Sequence, residues 1–195
     1  MVKALFLDID GTLVSFETHS IPESAVEALV AAKASGVKIF IATGRAKSMI
    51  NNLSALEERN LIDGYITMNG SCCFVGEDVV FKNAIPNEDA KIVIDYCKKE
   101  GKSCVVIKND KPSIFQPTEL FEEIFYTGLH VDLMQEIGAE EAVQGEIFQL
   151  TPFVTEEEEE NFSSKVKNCE FGRWYPAFTD LGAKGNTKSR GIDKV

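Results

Sequence analysis

Residues 2–7, Val2-Lys3-Ala4-Leu5-Phe6-Leu7, make an almost unbroken apolar run that stops abruptly at Asp8-Ile9-Asp10-Gly11-Thr12. That is how a strand buried on both faces reads when its C-terminal end opens into a polar loop, and such strands belong to parallel sheets covered by helices. A second run, Val37–Ala42, ends in the same way at Thr43-Gly44-Arg45. Between the two, Ser20-Ile21-Pro22-Glu23 predicts a helix start, with Ser20 as its cap and Pro22 in its first turn. Val26, Leu29, Val30 and Lys33 follow at helical spacing, and Gly36 stops the helix. Strand, helix, strand in this order implies a right-handed crossover and a parallel pair.

The pattern continues with a helix predicted from about Ala46 to Arg59 and a short strand over Gly64–Thr67, followed by Asn69-Gly70. A hairpin is predicted from Ser71–Val75 and Val79–Phe81 around Gly76-Glu77-Asp78. Alternating elements of this kind predict an α/β fold with a doubly wound, Rossmann-like parallel sheet. The character changes at Asn83-Ala84-Ile85-Pro86. From there the sequence predicts a helix over 87–100, a strand at 103–108, an extended piece at 113–116, a short helix from Thr118, a strand at 146–151, a helix from Thr155, and two strands near 170–174 and 176–180. The expected organisation is a core over 1–83, an inserted α+β module over 84–180, and a second, incomplete core segment over 181–195. The acidic run Glu156–Glu160 falls in the first turns of its helix, where carboxylates favour the helix dipole on a solvated face.

With 44% apolar residues, 195 residues can bury a sizeable core. Twenty Lys and Arg against 31 Asp and Glu leave a net charge of −11, which excludes a broad electrostatic grip on nucleic acid or on an anionic membrane. The five cysteines are odd in number and form no metal or redox spacing, so they are expected to be reduced packing residues. The N-terminal apolar run is too short for a signal peptide or a membrane span, and a cytoplasmic location is expected.

Two loops carry chemistry. Asp8 and Asp10, two residues apart, leave their strand on one side and can face one reacting centre at the carboxyl end of the sheet. Two such carboxylates repel each other unless a cation, a proton or a donor compensates them. The alternative for any Asp-x-Asp is a turn-forming pair; the preceding apolar run and the Gly11 that permits a tight turn favour function. Thr43-Gly44-Arg45 offers a hydroxyl, backbone N–H groups and a predicted helix N-terminus as an anion site, against an ordinary turn with Thr43 as a cap.

In these motifs the sequence resembles the haloacid dehalogenase (HAD) superfamily of phosphohydrolases. Asp8-Ile9-Asp10-Gly11-Thr12 is similar to its nucleophile motif, Ile41-Ala42-Thr43-Gly44-Arg45 to its second motif, and the module after residue 83 to the cap of the Cof-type, type IIB branch. The third motif is a lysine; Lys188 in Gly185-Asn186-Thr187-Lys188-Ser189-Arg190-Gly191 fits it, with Lys184 as competitor. The resemblance implies a phosphatase acting on small phosphomonoesters, with sugar phosphates favoured. Asp8 would be the nucleophile and Asp10 the acid and base. The Ile9, Thr43, Gly44, Arg45 and Lys188 positions would hold the phosphoryl group. Mg²⁺ would be held by Asp8 and by the backbone carbonyl of Asp10. Asn69 either shapes the pocket or simply forms a turn.

A fourth motif, which supplies a further metal carboxylate in the superfamily, has no match before Val195. The expectation is therefore a chain stopped before that ligand, with weak Mg²⁺ binding, poor turnover and an uncovered sheet edge open to self-association. Two rivals remain at this point: a sugar phosphotransferase or mutase of the same superfamily, and a non-catalytic module in which Asp8 only accepts phosphate.

Overall fold

The computed structural model describes residues 3–15, 17–108 and 111–195. Val2, the first residue of the expected apolar run, lies outside them. The chain divides into two compact units, Met1–Lys82 with Asn186–Val195, and Asn83–Gly185.

The first unit is built on a five-stranded sheet. Strand β1 (Ala4–Leu7) leads through the Asp8–Thr12 loop to helix α1 (Glu23–Ala34), and β2 (Lys38–Ala42) then runs parallel to β1, with Leu7 opposite Ile41. Ile39 and Ile41 are wholly buried, as a strand covered on both faces requires. The cap of helix α1 is Pro22, past the Ser20 that the sequence suggests, and the helix starts at Glu23. The φ of Pro22 is fixed near −61°, and its carbonyl accepts the Ala25 and Val26 N–H groups. Val26 and Leu29 face the core, whereas Val30 is exposed.

The helix predicted over 46–59 is not continuous. A single 3₁₀ turn at Lys47–Met49 is followed by extended backbone at Ile50 and a four-residue helix, α2 (Ser54–Glu57). Asn51-Asn52 interrupts the segment with two residues that compete for backbone hydrogen bonds, while Leu53 and Leu56 are buried. Strand β3 (Gly64–Thr67) pairs parallel to β2; β4 (Cys72–Val75) and β5 (Asp78–Lys82) add antiparallel. The order is β1-β2-β3-β4-β5, so the sheet is mixed and β1 forms one of its edges.

In the second unit α3 (Asn87–Glu100) precedes a hairpin of β6 (Cys104–Lys108) and β7 (Lys111–Phe115). Helix α4 (Glu119–Glu122), capped by Thr118, continues into a π-helical stretch over Glu123–Gly128. Strand β8 (Gln135–Ile137) and helix α5 (Ala139–Ala142), neither anticipated, come next, then β9 (Ile147–Pro152) and α6 (Glu156–Ser163). Strands β10 (Cys169–Tyr175) and β11 (Phe178–Ala183) close a six-stranded sheet of order β10-β11-β9-β6-β7-β8. Val93, Ile94 and Cys97 of α3 and Phe162 of α6 pack on Val106, Leu150 and Leu181 of that sheet. The chain then returns to the first unit in a short helix, α7 (Lys188–Ile192).

Candidate active site

The parallel register carries Asp8 and Thr43 to the same edge of the first sheet. Leu7 lies opposite Ile41, and Thr43 leaves β2 with its N–H bonded to the Ile66 carbonyl of β3 at 2.8 Å. Beyond β1 the loop folds tightly on itself. Leu13 N–H donates to the Asp8 carbonyl and Val14 N–H to the Ile9 carbonyl, and Gly11, at φ 72°, donates back to Val14. The left-handed turn at Gly11 is one that a side chain resists, which is the role the sequence reading gave it. Ile9 is wholly buried and anchors the loop, and its N–H donates to Asp8 Oδ1 at 2.9 Å.

Lys188 Nζ reaches Asp8 Oδ2 at 2.8 Å. Two glycines bring the lysine there. A Cβ on Gly191 would meet Ile66 Cγ2 at 2.5 Å and Cys73 Sγ at 3.1 Å, and one on Gly70 would meet the Thr187 carbonyl at 2.3 Å. Helix α7 can therefore lie directly on β3 and on the turn that follows it. Thr187 caps α7 by accepting from Arg190 N–H, and Asn186 Nδ2 donates to Ser71 Oγ at 2.9 Å, fixing the entry to the helix. Lys184, the competing lysine, belongs to the second unit, where its N–H donates to the Asn168 carbonyl. Beneath α7, burial and the adjacent Cys72 push the Cys73 thiol up to about 11, so it stays a neutral packing group. All five cysteines are buried and reduced.

The turn at 43–45 is held from β3. Thr43 is fully buried and its Oγ1 accepts Arg45 N–H at 3.1 Å. Its carbonyl accepts Asn69 N–H and the Arg45 carbonyl accepts Met68 N–H, each at 3.1 Å. Both bonds depend on left-handed backbone at Met68 and Asn69, φ 47° and 52°. For a buried methionine this conformation is strained, and it persists because the surroundings over-determine it. Sequence reasoning did not single out Met68; nothing in its residue type signals such a conformation. The Asn69 amide lies against Gly44, where an added Cβ would come to 3.4 Å of it. The helix N-terminus expected behind Arg45 is absent: backbone at Ala46 is extended, and only the 3₁₀ turn follows.

Arg45 turns to Asp10. Nε donates to Oδ2 at 3.0 Å and Nη2 to Oδ1 at 2.5 Å. Each carboxylate of the Asp8/Asp10 pair thus has its own cation. No three His, Cys, Asp or Glu side chains gather into a ready-made metal site among the described residues. The donors that are present, the Asp8 carboxylate and the Asp10 carboxylate and carbonyl, are all hard oxygens on one short loop. That set suits Mg²⁺, which takes few protein ligands and keeps water and phosphate oxygens around it.

The model of the haloacid dehalogenase-like hydrolase family matches residues 5–195, and the chain belongs to that family. The structure of the HAD subclass IIB sugar phosphatase BT4131 is 57% identical, with 99% of this chain and 74% of that one covered at a TM-score of 0.90. The HAD-superfamily phosphatase BT1666 from Bacteroides thetaiotaomicron is 31% identical over 99% of this chain and 71% of that one, at a TM-score of 0.81. YkrA of Bacillus subtilis (strain 168), a protein named as a candidate phosphatase, is 29% identical over 196 residues, 99% of this chain and 73% of its own. The protein is a phosphatase of this superfamily. No helix among the described residues is long and apolar enough to cross a membrane.

Proposed function

We propose that this protein hydrolyses small phosphomonoesters, sugar phosphates foremost, through an aspartyl-phosphate formed on Asp8. The observation that carries this reading is the Asp8–Lys188 contact at the carboxyl edge of a parallel sheet, with Asp10 on the same loop. A carboxylate needs no deprotonation to act as a nucleophile at neutral pH. Asp8 attacks phosphorus, and the bond to the ester oxygen breaks as Asp10, entering this step as the carboxylic acid, gives that oxygen its proton and is left as the carboxylate. Water then attacks the phosphoryl group and loses a proton to Asp10, releasing phosphate and restoring Asp8. Lys188 and the backbone at Thr43-Gly44 neutralise the phosphoryl oxygens. Mg²⁺, held by Asp8 and the Asp10 carbonyl, would supply further neutralisation of the phosphate charge. The second unit, Asn83–Gly185, acts as the cap that selects the leaving group. The 57% identity to a protein described as a sugar phosphatase favours a sugar as that group.

Phosphate release from a panel of hexose phosphates, glycerol phosphate and p-nitrophenyl phosphate, with and without Mg²⁺, tests the proposal. Turnover that needs Mg²⁺ and disappears in Asp8→Asn is the expected result. Transfer to a sugar acceptor without free phosphate, or a phosphoprotein that persists for hours, would overturn it.

A further inference from the structure

We infer that Arg45 is a positioning residue for Asp10 and not a ligand of the phosphate; the inference rests on the reading of Asp10 as the acid and base. The guanidinium holds both carboxylate oxygens at once, Nε to Oδ2 and Nη2 to Oδ1. Two parallel bonds from a planar fork fix the plane of the carboxylate as well as its distance, which a single point charge cannot do. The root of the fork is fixed too. Arg45 N–H is bound to Thr43 Oγ1 and its carbonyl to Met68 N–H, so the residue is tied to the ends of β2 and β3.

Stability does not account for the pair. The two side chains are 32% and 41% exposed, and exposed ion pairs add little to a fold. Asp10 itself lies on a loop tip whose regular bonds run between residues 8–9 and 11–14; the Arg45 fork is what orients its side chain. The charges divide one to one, Lys188 on the nucleophile Asp8 and Arg45 on Asp10. A phosphate taking the Arg45 fork would have to displace the Asp10 carboxylate from it, releasing the group that must meet the leaving oxygen.

The two roles separate by leaving group. An alkyl ester needs a proton on its departing oxygen, whereas p-nitrophenolate departs without one. kcat/KM is therefore compared for a hexose 6-phosphate and for p-nitrophenyl phosphate in the wild type, Arg45→Ala, Arg45→Lys, Asp10→Asn and the double variant Asp10→Asn/Arg45→Ala. Arg45→Ala is expected to lower the sugar ester by about 100-fold, within the range of general acid catalysis, and the aryl ester by less than about fivefold. Arg45→Lys should recover part of the loss, and adding Arg45→Ala to Asp10→Asn should cost less than about threefold more, since residues acting as a unit are not additive. Equal losses for both esters in Arg45→Ala, additive with Asp10→Asn, would make Arg45 a phosphate ligand and overturn the inference. Failure of the Asp10 reading shows separately, as equal losses for both esters in Asp10→Asn itself. Independently of turnover, the Arg45 Nε–H resonance should stay protected when the protein is saturated with inorganic phosphate and lose protection in Asp10→Asn. A resonance that shifts with phosphate and is indifferent to Asp10→Asn overturns the inference as well.

Discussion

Lys188, at the start of helix α7, places its ammonium 2.8 Å from the carboxylate of Asp8, near the other end of the sequence. The pair is about one-third exposed on each side, so it contributes little to stability, and the proposed reaction is what gives it a role.

Removing either partner should therefore damage turnover more than folding. Lys188→Met is expected to lower kcat/KM by about 10²–10³, the usual loss for one charge-stabilising donor. The urea midpoint should barely move. Phosphate-release kinetics and a urea titration on the same preparation check both halves.

Gly191→Ala and Gly70→Ala test how the lysine is delivered. Each added methyl would collide with fixed atoms, Ile66 and Cys73 for one and the Thr187 carbonyl for the other, and Gly70 also sits at φ 92°. Destabilisation of about 1–3 kcal/mol is expected from overpacking. Activity should fall as α7 is pushed from β3. A Gly191→Ala protein of unchanged stability and activity would show that the close approach is not needed.

Asp63 gives the first unit a pH dependence of known sign. Burial alone would raise its carboxyl, but hydrogen bonds from Lys33, the Ile39 N–H and Lys38, with the Lys33 charge, outweigh it and hold the group below the usual range. With the folded value depressed, the stabilisation is complete above the unfolded-state value, about 4, and is lost as pH falls through the folded one. Asp63→Asn is expected to lose about 1–2 kcal/mol at pH 7 and to show a flatter stability profile below about pH 4. Urea midpoints measured from pH 2.5 to 7 decide the point.

Thr155 and Glu158 form a reciprocal cap on α6: Thr155 N–H donates to Glu158 Oε2 at 2.9 Å and Glu158 N–H to Thr155 Oγ1 at 3.3 Å. Lys102 also bonds Glu158, and these contacts hold its carboxyl below the usual range. Thr155→Ala should weaken the helix by about 1 kcal/mol, the typical worth of such a cap. Faster amide exchange over residues 156–163 would report it.

The elements that could be read from the sequence are those whose local pattern and tertiary fate coincide. β2 is apolar because Ile39–Ala42 are covered on both faces, α3 runs over the residues predicted for it, and the acidic start of α6 has its cap at Thr155; β1 forms where its apolar run predicts but is only partly buried along its length. The 46–59 segment failed because Asn51-Asn52 breaks it, while its apolar residues still find burial in pieces. Three-residue β8 and four-residue α5 are too short to leave a periodic signal. At the site, the residues singled out from the sequence, Asp8, Asp10, Thr43 and Lys188, are brought to one end of the first sheet. The partner chosen by Arg45 was not, because a contact across 35 residues is set by where two sheet-end loops meet and not by spacing.

The strand that carries Asp8 is an edge strand, joined to β2 alone among the described residues. In a parallel ladder only alternate residues of a strand bond to a given neighbour, so β2 holds only part of the β1 backbone. Within residues 1–195 Asp8 thus follows a strand with a single ladder, and the Lys188 contact is a second tether on it from far along the sequence. Among the described residues, any local opening of β1 would carry the Asp8 carboxylate with it, and the Lys188 contact is what opposes that movement.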